Sequence, residues 1–330
     1  TNGVTKNKNM FVKKMIGVTN EQPQQSPPTT PPATMKTTPL PQTNKMFETI
    51  LLIANAIFTN GLTPSTWRIS HIIPLHKSKE KTLTSNYRPI ALISNFQKIV
   101  NKIITTRLTT LITAKANTKH PILSRNQAGY LPGRERLEQV ATILQYCKSY
   151  NISNKHPIYI LFVDLKRAFD SCHHDKLLEI FNKRFDTHQT PLGLYLKEMF
   201  NNINITIKNK DFYSTPHVQK IGIKQGCTLS PLLFNIFFDH IFATITPKDD
   251  DNNHATPAYA DDLAIATNNF KKLQELLKHL LDAFEQIQMD INMTKTEVLI
   301  VNTYDNDDQI HLKNCEGITT TPHDANNKSN

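Results

Sequence analysis

Residues 255–267 read ATPAYADDLAIAT. Two short apolar segments, 255–260 and 263–267, flank Asp261 and Asp262, a pattern that predicts a tight β-hairpin with two adjacent carboxylates at its turn. Neighbouring carboxylates repel and tolerate burial poorly unless a cation neutralises them. A bare Asp-Asp pair is more often a solvated turn, because Asp favours turns. Here the apolar strands on both sides argue against that reading. So does the run 157–163 (PIYILFV), rich in β-branched and aromatic residues and ending at Asp164. It predicts a buried strand that delivers a third carboxylate at its tip.

Working outward, segments 175–185 and 192–200 read as helices, followed by an alternating strand through Ile203, Ile205 and Ile207. A loop at 222–226 precedes a core helix expected over about 230–245. Leu273, Leu276, Leu277, Leu280, Leu281, Phe284 and Ile287 follow helical spacing, which predicts an amphipathic helix over 271–288. Residues 298–301 (VLIV) read as another buried strand. Helices packed on one face of a largely antiparallel sheet make the expected class α+β.

The chain has 330 residues, 38% of them apolar, enough to bury a core in one large domain or two ordinary ones. Lys and Arg number 38 against 28 Asp and Glu, a formal net charge of +10, the sign suited to a partner carrying phosphates. The four cysteines (Cys147, Cys172, Cys227 and Cys315) lie far apart and form no CxxC pair, so they indicate neither a zinc knuckle nor a disulfide framework. The 13 histidines show no zinc-like spacing, and Cys227 reads as a small packing residue. The most apolar stretch, 229–245, contains Asn235, Asp239 and His240 and is too short and polar to span a membrane. No secretory signal is visible, so an intracellular setting, nuclear or cytoplasmic, is expected, with no membrane partner. Residues 1–44 include a Pro-, Gln- and Thr-rich stretch expected to be disordered. Residues 303–330 form a polar tail also expected to be disordered, which leaves a packed region at 45–302.

Paired carboxylates on rigid strand ends suit phosphoryl transfer by two Mg²⁺ ions, with Mn²⁺ as a substitute. Hard Mg²⁺ prefers oxygen ligands, and ions about 4 Å apart serve both the attacking and the leaving oxygen. Beyond this chemistry, the sequence resembles the reverse transcriptase domain of non-LTR (LINE-like) retrotransposons. The resemblance rests on blocks in family order: 86–94 (NYRPIALIS), 127–134 (QAGYLPGR), 162–170 (FVDLKRAFD), 224–234 (KQGCTLSPLLF), 258–263 (AYADDL, the YADD motif) and 292–299 (NMTKTEVL). Together they are distributed over most of 62–301.

The resemblance implies a right-hand polymerase fold with fingers at about 45–156 and a palm at about 157–302, the antiparallel palm sheet backed by helices and the thumb missing or incomplete. It implies an RNA-directed DNA polymerase that takes an RNA template, a DNA primer and deoxynucleoside triphosphates, within a larger polyprotein. Asp164 and Asp261 would be the principal metal ligands, with Asp262 in support. Phe169 matches the bulky gate that excludes a 2′-hydroxyl, although an aromatic there is otherwise simply core. Gln225-Gly226 matches the loop that contacts nucleotide and template, and it also serves as a helix-entry turn before Ser230 and Pro231. Lys295 matches a lysine beside the triphosphate, a proton donor to pyrophosphate. Arg88, Arg134 and Lys77 fall in the fingers and suit phosphate or template contacts, though each is equally readable as a solvated charge. Asp170 reads as a cap or loop residue.

Glu135 stands where small polar residues are usual in the family, which bears on a local template contact and not on the carboxylates. Three other readings fit the same residues. One is a truncated, catalytically inactive reverse-transcriptase-like RNA-binding protein. A second is a maturase-type reverse transcriptase of a mobile group II intron. The third is a metal-dependent nuclease, which would share the carboxylates and have no use for Phe169 or Gln225-Gly226.

Overall fold

The structure is a computed structural model that describes residues 45–78, 80–154, 157–245, 254–302 and 311–314. The disordered segment expected at 1–44 lies outside the described residues. In chain order the elements are α1 (Lys45–Asn60), β1 (Ile69–His76), β2 (Tyr87–Leu92), α2 (Asn95–Lys115), α3 (Arg136–Asn154), β3 (Ile158–Val163), α4 (His174–Phe185), α5 (Pro191–Phe200), β4 (Ile203–Asn209), β5 (Phe212–Tyr213) and β6 (His217–Gln219). They continue with α6 (Ser230–Phe238), α7 (Phe242–Ile245), β7 (His254–Ala255), β8 (Ala258–Tyr259), β9 (Asp262–Thr267), α8 (Phe270–Ile287), β10 (Glu297–Asn302) and β11 (His311–Asn314). The chain forms two compact units, each drawn from two segments: residues 1–122 with 172–237, and residues 123–171 with 238–330.

The first unit is built on a sheet ordered β2-β1-β4-β5, with β6 also on β4. β1 and β2 pair antiparallel, but β1 and β4 pair in parallel, with Ile69 opposite Asn204. The described strands thus form two sheets, this one mixed and the other antiparallel as expected from the sequence. Alternation in β4 also maps poorly onto burial. Ile203 is buried and Ile207 is exposed, while Thr206 turns inward and its hydroxyl lies 2.7 Å from His71 Nδ1. In α2, Val100, Ile104, Leu108 and Ile112 recur every fourth residue and are all buried, the stripe that fastens this helix to the unit.

The second unit holds an antiparallel sheet ordered β11-β10-β3-β9-β7, with β8 on β9. Its central strands are buried on both faces. Ile158 and Ile160 alternate with Leu161 and Val163 in β3, and Leu263 to Ala266 are all buried in β9. Tyr146 of α3 packs on the Ile158, Ile160, Ala266 and Val301 side, and α8 also packs on β3 and β9. The expectation that helices cover one face gives way to a sheet covered on both. α8 matches its predicted span closely. Asn269 caps it by accepting from the Lys271 and Lys272 N–H groups at 2.9 and 3.2 Å, and Leu273, Leu276, Leu280, Ala283, Phe284 and Ile287 form its buried face.

Two further expectations change. The core helix read over 230–245 is interrupted by a 3₁₀ turn at Asp239–Ile241, between α6 and α7. Within that break the buried Asp239 accepts the Ser124 N–H at 2.6 Å, a tie that hydropathy does not reveal. The polar tail contains β11, paired antiparallel with β10, and the rest of the tail lies outside the described residues. Among the described residues no helix is long and apolar enough to cross a membrane.

Candidate active site

Pairing within the second unit sets the carboxylates. β3 and β9 run antiparallel to a last pair, Val163 opposite Leu263, so Asp164 leaves one strand where Asp262 begins the other. Tyr259 pairs with Asp262, which makes Ala260 and Asp261 a two-residue hairpin turn. Ala260 has φ 59°, a left-handed conformation unusual for a residue with a Cβ. Asp261 is half-buried and Asp262 is exposed. Burial pushes the Asp261 carboxyl above the usual carboxylate range; its own backbone N–H opposes this, the Asp262 and Asp164 charges add to it, and Arg136 opposes it.

Asp164 is held on several sides by the segment around residue 292. Its carbonyl accepts the Asn292 N–H at 2.8 Å, its Oδ2 accepts the Asn292 side-chain amide at 2.8 Å, and its N–H meets the Thr296 hydroxyl at 3.3 Å. Lys295 Nζ lies 3.8 Å from the same Oδ2 in a solvent-exposed pair, worth at most about 1 kcal/mol. The sequence reading assigned Lys295 and missed Asn292 and Thr296, although both stand in the block 292–299. A hydrogen-bonded carboxylate keeps its direction, which a metal ligand requires.

Among the described residues no group of three or more His, Cys, Asp or Glu side chains is arranged to hold a metal ion alone. Mg²⁺ does not need such a cage, since it usually takes one or two carboxylates and completes its shell with waters and substrate phosphates. The residues fit such an ion. A half-buried carboxylate strained by two neighbours of like charge is relieved by a cation, and Asp261 is in that position.

Phe169 sits in a 3₁₀ turn, Ala168–Ser171, together with Asp170, whose N–H bonds the Arg167 carbonyl at 2.9 Å, in keeping with a turn role. The Phe169 and Tyr130 rings meet edge to face at 6.5 Å, and Tyr130 lies equally far from Tyr259. The Arg136 guanidinium stands over the Tyr259 ring at 4.8 Å. Burial and then the Asp261 charge push the Tyr130 phenol upward, so this aromatic surface borders the carboxylates electrostatically. Tyr130, inside the block 127–134, and Arg136, two residues past it, carried no sequence signal of their own. Arg134 is engaged by Glu138, 2.8 Å from its Nε, and by the Arg125 carbonyl at 2.8 Å.

The remaining predicted residues belong to the first unit. Lys77 and Arg88 are exposed at the β1–β2 hairpin, where the Lys77 N–H bonds the Asn86 carbonyl at 2.8 Å. The Gln225 carbonyl accepts the Ala91 N–H at 2.7 Å. Gly226 has φ 109°, and a Cβ there would lie 2.8 Å from the Ala91 carbonyl oxygen, so the loop demands glycine. Behind it the buried Cys227 thiol accepts the Asn101 amide at 3.1 Å, and Asn101 accepts the Tyr195 hydroxyl at 2.5 Å. Cys227 is thus the packing residue its sequence context suggested.

The profile of the family described as reverse transcriptase (RNA-dependent DNA polymerase) matches residues 75–319. The probable RNA-directed DNA polymerase from transposon BS of Drosophila melanogaster is 28% identical over 255 residues, 75% of this chain and 27% of that protein. The RNA-directed DNA polymerase from mobile element jockey of the same fly is 28% identical over 242 residues, 72% of this chain and 25% of that protein. The chain thus spans about a quarter of the length of these curated relatives. Among solved structures, apo telomerase from Candida tropicalis truncated from its C-terminal domain superposes with a TM-score of 0.54 at 16% identity, over 76% of this chain and 53% of that one. Telomerase of the same yeast in complex with the TWJ fragment of telomeric RNA gives 0.54 at 13% identity, over 74% and 42%. At such identity the likeness is one of fold, and it agrees with the α+β polymerase architecture expected from the sequence. With its fold, its order of motifs and its retrotransposon relatives in agreement, the chain belongs to the reverse transcriptase (RNA-dependent DNA polymerase) family.

Proposed function

We propose that this chain is the polymerising part of a non-LTR retrotransposon reverse transcriptase, extending a DNA primer with deoxynucleotides on an RNA template in an intracellular setting. The observation that carries this reading is the convergence of Asp164, at the end of β3, with Asp261 and Asp262, at the β8–β9 turn, where β3 and β9 finish their pairing. In this reading the fingers span about 45–156 and the palm about 157–302.

Asp164 and Asp261 would hold two Mg²⁺ ions, or Mn²⁺ in their place, with Asp262 in support; such ions lower the pKa of the attacking 3′-hydroxyl and stabilise the leaving pyrophosphate. Asn292 keeps the Asp164 carboxylate aimed. Lys295, exposed beside Asp164, hands a proton to pyrophosphate as it leaves. Phe169, braced by the Tyr130 ring, walls off the space a 2′-hydroxyl would need. Gln225 and Gly226 present side-chain amide and open backbone to nucleotide and template, and Arg88, Lys77 and the remaining donors of Arg134 take phosphates.

Incorporation of deoxynucleotides on a primed homopolymeric RNA template with Mg²⁺ or Mn²⁺, the natural chain beside Asp261→Asn, tests the reading. Robust extension that the variant loses supports it. No extension by either chain, with RNA binding that weakens steeply with salt, would make this a template-binding protein instead. The gate has its own test. Phe169→Ala is expected to narrow the preference for deoxyribonucleotides over ribonucleotides by roughly 100-fold, read as the ratio of kcat/KM values. An unchanged ratio would return Phe169 to the core.

A further inference from the structure

We infer that Gln127 is a positioning residue for the Asp261 turn: its side-chain amide grips both backbone groups of Ala260 and so sets the direction in which Asp261 is presented. The inference rests on the carboxylate reading above. Gln127 is fully buried in the second unit. Its Nε2 donates to the Ala260 carbonyl at 3.0 Å, and its Oε1 accepts the Ala260 N–H at 2.8 Å and the Gly129 N–H at 2.9 Å. A side chain here makes the two-point pairing that a neighbouring strand would otherwise make.

The turn needs that support. β8 contributes only Ala258 and Tyr259 to the hairpin, so little ladder stands behind the tip. Ala260 holds a positive φ that a residue with a Cβ keeps only where its surroundings over-determine it. Asp261 follows directly, so any rotation of the Ala260 peptide swings its carboxylate. The segment that carries Gln127 is itself tied to the hairpin. The Ala258 N–H bonds the Asn126 carbonyl at 2.8 Å, the Ala128 N–H bonds the Ala258 carbonyl at 2.9 Å, and the Asn126 amide bonds the Thr256 hydroxyl at 2.7 Å. The grip is therefore the end of a short adhesive strip that runs to the tip of the turn.

The test uses the whole chain with Gln127→Met, Gln127→Glu and Asp261→Asn. Methionine keeps the length and volume and loses all three hydrogen bonds, whereas glutamate keeps both acceptor contacts and loses only the donor to Ala260. Mn²⁺ binding without nucleic acid, followed by loss of the free-ion electron paramagnetic resonance signal, is expected to weaken roughly 10- to 100-fold in Gln127→Met. Its kcat is expected to fall by a similar factor with KM for deoxynucleotide within about twofold, because aim and not binding is lost. Amide exchange over residues 258–263 should accelerate. Wild-type kcat and Mn²⁺ affinity in Gln127→Met, or a raised KM at unchanged kcat, would overturn the inference. Should the methionine variant fail to fold, Gln127→Glu decides through kcat and exchange alone, since its added charge bears directly on metal affinity. Asp261→Asn separates the two levels. If it binds Mn²⁺ and incorporates like the natural chain, the carboxylate reading itself fails. If it does neither while Gln127→Met matches wild type, only the role of Gln127 falls.

Discussion

Asp261→Asn is expected to lower nucleotide incorporation by about 1000-fold or more and, at neutral pH in EDTA, to raise the thermal midpoint of the protein. The first effect follows from metal-ion catalysis, where a held ion supplies several kcal/mol of transition-state stabilisation and each 1.36 kcal/mol is tenfold in rate. The second follows from the direction of the Asp261 shift. Its carboxyl is raised above the ordinary value of 3.8 by burial first and by the Asp262 and Asp164 charges after it. Below the unfolded value both states hold the proton and folding is unaffected. As pH rises through the folded value the native state must ionise a group that its surroundings disfavour, and stability is lost over that window. Asparagine mimics the neutral form and escapes the loss. The gain should therefore be present at pH 7 and absent at pH 3, and divalent metal, which stabilises the natural carboxylate, should shrink or reverse it. Thermal denaturation of both chains at the two pH values, with and without Mg²⁺, reads this directly. A variant less stable than the natural chain at pH 7 in EDTA would mean that Asp261 serves the fold and is not held there for an ion. Function bought at a cost in stability is the usual signature of a catalytic carboxylate.

Much of this arrangement was legible in the sequence. β3 and α8 lie within a residue or two of their expected spans, because a long apolar run and a sustained 3.6-residue period are local signals. The hairpin with its carboxylates was readable for the same reason. What escaped was long-range. The parallel pairing of β1 with β4 joins residues far apart, and nothing in either strand names its partner. Two compact units that each draw on two chain segments leave no boundary in composition. The break at Asp239 depends on an N–H at residue 124, and the grip of Gln127 depends on a backbone 133 positions away. A lone Gln or Asn carries no role until the group it satisfies is known. Thus the carboxylates and Lys295 were found and the residues that aim them were not: Asn292, which holds Asp164, went unseen.

Gly129→Ala is the variant in which fold and site should fail together. A Cβ at Gly129 would lie 2.3 Å from the Ala260 nitrogen, 2.8 Å from its Cα and 3.0 Å from its Cβ. The obstacle is backbone, which cannot swing aside like the end of a flexible side chain. The segment must separate from the turn, and the Gly129 and Ala260 bonds to Gln127 Oε1 loosen with it. Overpacking of this kind costs about 1–3 kcal/mol, and each weakened buried hydrogen bond about 1 kcal/mol more. Gly133 supplies the control from the same loop. It has φ 72° and nothing within 4 Å of the added Cβ, so Gly133→Ala meets conformational strain alone, about 1 kcal/mol. Urea denaturation should therefore rank Gly129→Ala well below Gly133→Ala. Incorporation under conditions where both remain folded should fall about 100-fold only in the former, as expected when a reacting group is displaced by about an ångström. If the two variants lose activity equally, close approach at Ala260 is not what aims Asp261. If Gly129→Ala alone loses it, the spacing between residue 129 and the turn is part of the catalytic geometry, set by a residue that bears no functional group at all.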